Sequence, residues 1–288
     1  MSERDRDNYT RWERLQLRTV NAVGGLMMAA PPARMDLDQF EMTVVAIEDL
    51  SAHLRRITFS APEFRSFTPA GPDEYFGLIV PSAGDPSVTM PPRRGINVRA
   101  SVAAMPAEVR PELRWYTVRR HRPTEGEIDV DVVTHGDSGP GSAWACAAEV
   151  GFVAGFRAGA GSVIPTGMPM LLVADATAHP ALCAIGEHLA ARGHREQVLA
   201  LVEAPDESTL DRVDLPFDVQ YLFRGDAAPG SLVVPAVTEA PMPTPGFAWL
   251  CGESQIATSL RRLLVKDRGV ARTDVLFSGY WKLGAARN

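Results

Sequence analysis

The sequence predicts a β-barrel followed by an α/β domain built on a parallel sheet. Three observations carry this. From about residue 37 to 165, short β-rich runs are separated by turn-forming residues, as in a barrel or sandwich. Beyond Pro165, short and wholly apolar runs alternate with helical segments, as in a parallel sheet buried on both faces. Between the two, Gly159, Gly161, Pro165 and Gly167 crowd together and mark a boundary. The 288 residues then divide into an extension (1–36), a barrel domain (37–165) and an α/β domain (166–288), in keeping with roughly 150 residues per domain.

Each element follows in order. Val20 to Ala30 is apolar enough to pass for a signal-peptide core. However, Glu3, Asp5, Asp7 and Glu13 stand among five arginines before it, and a secretory leader should begin clearly positive. The extension is therefore read as poorly ordered or helical, ending at Pro31-Pro32, with Met35 an alternative start. Phe40 to Ile47 and Leu54 to Ser60 are the first strands, and Tyr75 to Val80 is a third that stops at Pro81. Residues 82–112, rich in Pro, Gly and Arg, read as a long loop. Arg114 to Arg120 and Ile128 to His135 form a hairpin turning at Glu125-Gly126, and a helix follows at about 141–149. In the second half the strands are Met170 to Ala174, Gln197 to Glu203, Val219 to Phe223, Ala248 to Cys251 and Val275 to Tyr280. A helix over 178–192 takes Thr177 as N-cap, Pro180 in its first turn and Gly193 beyond its end. Gln255 to Lys266 is another helix.

Composition excludes several functions. A net charge of −6 makes a poor nucleic-acid binder. No run approaches the ~20 apolar residues that span a bilayer. Cys146, Cys183 and Cys251 lie far apart and outside any CxxC, which argues against a disulfide scaffold or thiolate metal site and for a reducing, cytoplasmic setting. The six histidines form no HxxxH or HExxH, so no metal site is expected.

Five segments could carry chemistry. In Arg114-Trp115-Tyr116-Thr117-Val118-Arg119, strand alternation puts Arg114 and Tyr116 on one face. A guanidinium can hold a pyrophosphate and an aromatic ring can lie against a flat heterocycle; an ordinary barrel strand with surface arginines fits the spacing equally well. The second runs from Asp131 through His135-Gly136 to Gly139-Pro140-Gly141-Ser142-Ala143-Trp144, a strand leading through a glycine-rich turn into a helix whose first N–H groups form an anion site over Ser142 and Ala143. Trp144 there flanks a base or packs in the core. The third, Asp175 to Ala181, runs from a strand end into a helix, where α/β sheets bind ligands; His179 reads more readily as a satisfied helix-start residue than as an acid or base. The fourth is Trp249 to Glu253, and the fifth is the tail, Tyr280-Trp281-Lys282. A decoy also exists: Gly136-Asp137-Ser138-Gly139 matches a chymotrypsin-like nucleophile motif, but Pro140 replaces a usual glycine and the second half is α/β.

Together these segments resemble the siderophore-interacting protein family of FAD-containing ferric-siderophore reductases. The pattern Arg-x-Tyr-Thr-x-Arg, His-Gly, Gly-Pro with Trp-Ala, Asp-x-Thr-Ala-x-Pro-Ala, Gly-Glu and Tyr-Trp appears in order at 114–119, 135–136, 139–145, 175–181, 252–253 and 280–281. The resemblance implies an antiparallel flavin-binding barrel followed by a parallel-sheet nicotinamide-binding domain. It implies that Arg114, Tyr116, Thr117, Val118, Arg119, His135, Gly136, Gly139, Ser142, Ala143 and Trp144 surround FAD. Asp175, Thr177, Glu253, Tyr280 and Trp281 would surround NAD(P)H. It implies electron transfer from NAD(P)H through FAD to a ferric siderophore, releasing Fe(II), with the chemistry at flavin N5 and no catalytic side chain. Candidate contacts to an anionic chelate are Arg93, Arg94, Arg99, Lys266 and Lys282. Two departures stand out: Tyr75 to Val80 lacks the lysine often found there, and Ala158-Gly159-Ala160-Gly161 replaces a usual Gly-Pro. A flavin reductase with a non-iron acceptor and a flavin- or siderophore-binding protein without turnover remain open. So does a ferredoxin donor. A monomer is expected.

Overall fold

The structure, a computed structural model, describes residues 28–29, 37–81, 86–93, 97–134, 139–193, 197–240 and 243–285. The expectations for the extension, Arg94, His135 and Gly136 fall outside them. Cα packing groups the chain into two compact units, one containing Arg55–Ser162 with Pro31–Glu48, the other Val163–Asn288 with Asp49–Leu54.

The first unit is a barrel-like antiparallel sheet of seven strands: β1 (Gln39–Ser51), β2 (Leu54–Ser60), β3 (Tyr75–Val80), β4 (Glu112–Thr117), β5 (Arg120–Arg122), β6 (Glu127–Val133) and β7 (Val153–Ala160). They lie in the order β4-β3-β7-β1-β2-β6-β5. Alternate residues of each strand point inward. Phe156 of β7 sits between Phe40 and Phe76, its ring centroid 4.9 and 4.8 Å from theirs. The Arg119 amide donates to the Asp129 carbonyl at 2.8 Å, which ties the end of β4 to β6.

Two expectations are corrected here. The single strand over 114–120 is two: β4 pairs with β3, Tyr116 opposite Phe76, and the hairpin partner of β6 is the short β5. The chain changes partner after Val118: its amide still donates to the Glu74 carbonyl at 2.7 Å in the register of the β3–β4 ladder, whereas the next amide, of Arg119, donates to Asp129 of β6. The described part of 82–112 is not an open loop. It carries helix α1 (Val98–Ala103), capped by the Asn97 side chain, and buries Val88, Val98 and Val102 against Ile79 and Leu113 in a satellite core.

Helix α2 (Pro140–Ala147) packs on β4 and β6. Its C-terminal carbonyls at Ala145 and Cys146 accept from the Arg55 guanidinium at 2.9 and 2.7 Å, a favourable place for a cation.

The second unit is a five-stranded parallel sheet, β10-β9-β8-β11-β12, with β8 (Met170–Asp175) central, β9 (Val198–Ala204) and β10 (Val219–Phe223) on one side, β11 (Phe247–Glu253) and β12 (Val275–Trp281) on the other. Helices α3 (His179–Ala191), α4 (Val233–Glu239) and α5 (Ser254–Arg262) connect or cover the strands. β8 and β11 are buried throughout, as expected of central parallel strands. Thr177 does not cap α3. No side chain caps it; the N-cap position is Ala178, and Asp175 instead closes the turn before the helix, its Oδ1 accepting from the Thr177 and Ala178 amides at 2.8 and 3.1 Å. Among the described residues no helix is long and apolar enough to cross a membrane.

Candidate functional site

Two sites emerge, one in each unit. In the barrel, the pleat of β4 puts Arg114 and Tyr116 on one face, and the first turn of α2 lies directly on them. A Cβ at Gly141 would stand 2.5 Å from Tyr116 Oη and 3.2 Å from Arg114 Cγ, so only glycine allows this approach. No side chain caps the start of α2. A strand guanidinium, a phenol and an uncapped helix start thus converge, which is an anion site beside an aromatic face. Burial pushes the Tyr116 phenol up to about 12, against the pull of Arg114, so it is a hydrogen-bond donor at neutral pH. The Arg114 guanidinium is about one-third exposed, donates to the Leu113 carbonyl at 2.7 Å and pairs with Glu112 at 3.1 Å.

The other residues named in the barrel divide. Thr117 ends β4 and is buried; Ser142 and Trp144 are buried on α2, and Ala143 is half-buried. The Trp144 ring lies parallel to Phe59 at 6.2 Å. Val118 belongs to the core. Arg119 departs from a cofactor-facing reading. Its side chain is 1% exposed, with Nε 3.7 Å from Asp131, which also takes a two-pronged bond from Arg56 at 2.7 and 2.8 Å. Beside them Arg122 and Thr58 bond Asp129; burial would raise this carboxyl, but those partners hold it below the usual range. This charge network went unseen in the sequence, because Arg56 and Thr58 stand 75 and 71 residues from the acids they bond.

In the α/β unit, chain connections diverge on either side of β8, so the switch point lies between β8 and β11. Asp175 ends β8 there. Besides its two amides it accepts from Thr177 Oγ1 at 2.6 Å and from the Trp281 indole N–H at 2.7 Å. Burial pushes this carboxyl up, against the pull of the Thr177 and Trp281 donors. Gly252, at φ +135°, passes so close that a Cβ would lie 2.6 Å from Asp175 Cγ. Glu253 accepts from the Gln255, Ile256 and Leu283 amides at 2.6, 3.1 and 3.2 Å. Both acids stand at the strand ends, but their oxygens are engaged by the chain itself. Glu203, not singled out in the sequence, does the same at the end of β9, accepting from Gly230, Leu232 and Val233 amides. His179 is buried, its Nε2 3.4 Å from both Cys183 Sγ and Tyr221 Oη. The i, i+4 spacing of His179 and Cys183 was the available signal.

The candidate cations have different surroundings within their own units. Arg93 donates to the Gln39 carbonyl. Arg99 is half-buried on α1 and Lys282 is exposed beyond β12. Lys266 is misplaced for a common site: α5 leaves the C-terminal end of β11 and runs back, so Lys266 lies about 18 Å along the helical path from Ser254, toward the opposite sheet edge. Among the described residues no group of three His, Cys, Asp or Glu could hold a metal ion.

The donor set fits FAD in the barrel, and the switch-point sheet is the kind that receives a nicotinamide dinucleotide. An antiparallel barrel bearing the first and a parallel sheet bearing the second define a flavin-dependent reductase. Comparison with known proteins narrows this. Residues 43–162 match the siderophore-interacting FAD-binding domain, and residues 168–284 match the siderophore-interacting protein family. The NADPH-dependent ferric-chelate reductase of Escherichia coli is 30% identical over 80% of this chain and 87% of its own. The ferric vibriobactin reductase ViuB of Vibrio cholerae is 25% identical over 82% and 86%. A siderophore utilization protein from T. fusca superposes with a TM-score of 0.75 at 28% identity, covering 88% of this chain and 95% of its own. The chain belongs to the siderophore-interacting protein family. Its second unit is a parallel sheet, which removes the protease reading.

Proposed function

We propose that the chain transfers electrons from NAD(P)H through FAD to a ferric siderophore, releasing Fe(II). The observation that carries this is the seating of Gly141, at the start of α2, on Arg114 and Tyr116. FAD, when bound, supplies the coupling between two-electron and one-electron chemistry. The side chains bind and orient. Arg114 exchanges its half-exposed bond to Glu112 for a phosphate, helped by the Gly141 amide at the α2 start; Pro140 has no N–H to offer and the Ala143 amide donates to the Gly139 carbonyl at 3.0 Å. Tyr116 keeps its proton and donates a hydrogen bond, while Thr117, His135, Gly136 and Trp144 border the same cofactor. Val118 and Arg119 hold the barrel wall behind it. Asp175, Thr177, Glu253, Tyr280 and Trp281 shape the sheet end where NAD(P)H enters; the two acids do so by holding the backbone and, for Asp175, the Thr177 and Trp281 side chains. Lys282 is the exposed cation nearest that end in sequence, whereas Arg93 and Lys266 serve elsewhere. Iron reduction suits a release step because hard oxygen chelators hold Fe(III) better than Fe(II). Three free cysteines suit a reducing cytoplasm.

Anaerobic titration with NADH and NADPH in parallel tests this. The yellow FAD protein should bleach with one or both. A ferrous chelator should then capture Fe(II) when a ferric siderophore is added. Bleaching without Fe(II) would point to another acceptor, and a yellow protein that neither dinucleotide bleaches would point to binding without turnover from these donors.

A further inference from the structure

The outer face of the β3–β4 ladder carries an aromatic corner with no part in cofactor binding so far. Register pairs Tyr75 with Thr117 and Gly77 with Trp115, and the pleat puts all four on the face opposite Arg114 and Tyr116. Tyr75 is 39% exposed, and Trp115 is half-buried, packed in part against the α1 satellite core. Their rings meet edge to face, centroids 5.4 Å apart and planes at 77°. Each lies on a glycine of a neighbouring strand. A Cβ at Gly77 would stand 3.5 Å from Trp115 Cζ3, and one at Gly159 of β7 would stand 2.7 Å from Tyr75 Cδ2 and Cε2. The floor under both rings is bare backbone, which seats them while Tyr75 stays open to solvent. On this face β3 and β4 bear no charged side chain. Arg157 of β7, opposite Gly77, is buried with its Nη1 on the Leu37 carbonyl and Gln39 Oε1 at 3.2 and 3.5 Å.

Such a corner suits a flat ring rather than an ion. Two rings near a right angle offer a third ring one face to stack on and one edge to abut. Position decides whose ring it takes. Thr117 is the last residue of β4 and borders FAD in the proposed function, although it points to this face, so cofactor and corner meet at the strand end. Tyr75 stands across from Thr117, with roughly 5 Å between Cβ atoms, and Trp115 lies roughly 7 Å back along the strand. A ligand in the corner is beside the cofactor that must reduce it, which favours the electron acceptor over a peptide or a second copy of the chain. We propose that Tyr75 and Trp115 dock an aryl ring of the ferric chelate, so that the acceptor is an aryl siderophore, a catecholate or phenolate. This rests on the FAD and ferric-chelate function proposed above.

Redox-inert gallium(III) chelates test the contact in the FAD-loaded protein, as inhibitors of ferric citrate reduction at about 150 mM sodium chloride, where long-range charge is screened. Gallium enterobactin is a tris-catecholate; gallium desferrioxamine is a trihydroxamate without aromatic rings. Tyr75→Leu should raise the inhibition constant of the first about two- to tenfold and that of the second less than about twofold. Tyr75→Phe keeps the ring and should match wild type. Trp115→Leu should repeat the pattern; Tyr75, the more exposed of the two, carries the test if that variant does not fold. Equal changes for both chelates, no change in either, or no inhibition of wild type by gallium enterobactin overturns the inference and leaves the reductase function standing. Loss of FAD affinity in Tyr75→Leu overturns it too, by making the ring a cofactor contact. Wild-type protein that reduces no ferric chelate overturns both.

Discussion

Arg114 shows how a residue can be ready for a ligand while already paired. Its bond to Glu112 is exposed on both sides, and such pairs contribute about 0–1 kcal/mol. A phosphate offers a charge-assisted contact of roughly 1.5–3 kcal/mol beside the uncapped α2 start. The exchange therefore favours the ligand. Arg114→Ala should weaken FAD binding about ten- to a hundredfold while lowering the apoprotein melting temperature by only about 2–4 °C, since a half-exposed pair, the bond to the Leu113 carbonyl and the packing of its stem beside Gly141 are lost. Equilibrium titration of flavin fluorescence measures the first and calorimetry the second. Unchanged affinity in the variant would make Arg114 an ordinary surface arginine. Arg119, five residues on, is the contrast. Truncating it removes one of the two cations beside Asp131, which keeps its bond from Arg56, and leaves a cavity in the barrel wall, so its loss should appear as instability rather than as weak binding.

At the scale of elements, the last strand is the informative case. β12 is an edge strand paired only with β11, yet three bonds secure its end: Trp281 Nε1–H to Asp175, Ser254 Oγ–H to the Trp281 carbonyl at 2.8 Å, and the Leu283 amide to Glu253. This makes the tail a strap within its own unit. Trp281→Phe deletes one donor to a buried carboxylate, worth about 1–3 kcal/mol, and should lower the melting temperature by roughly 2–10 °C, with steady-state kinetics of the folded fraction near normal. An unchanged melting temperature with an altered KM for NAD(P)H would make the ring a gate instead. Much of this architecture was legible in the sequence. β2, β3 and β10 have the expected bounds, because turn residues and apolar runs define them locally. The hairpin over 114–135 was misassigned because the chain passes from the β3 partner at Val118 to the β6 partner at Arg119, and a change of partner strand leaves no mark in the local sequence. α1 was read as loop because its burial depends on Ile79 and Leu113 from other strands. The site followed the same rule: Arg114, Tyr116 and the α2 start announce themselves by type and spacing, whereas Asp175 as a bracket for Trp281, 106 residues away, does not.

For the whole molecule, charge decides how an anionic chelate arrives. The chain carries a net charge of −6. Of the cations singled out to offset it, Arg93 is bound to Gln39, Arg99 is half-buried, Lys266 stands far along its helix from the strand ends of its sheet, and Lys282 is exposed. The long-range field therefore opposes an anion, and any attraction acts only at contact. Salt screens the first far more than the second, since the Debye length falls from about 30 Å at 0.01 M to about 8 Å at 0.15 M. For an anionic ferric chelate such as ferric citrate, kcat/KM should therefore rise about two- to fivefold between about 10 and 150 mM sodium chloride. A neutral ferric trihydroxamate should change little, and kcat should stay level for both. Stopped-flow reoxidation of the reduced flavin against each chelate measures this free of NAD(P)H binding. A fall in rate with salt for the anion would mean that a basic surface, with Lys282 its first suspect, outweighs the net charge and steers the substrate in.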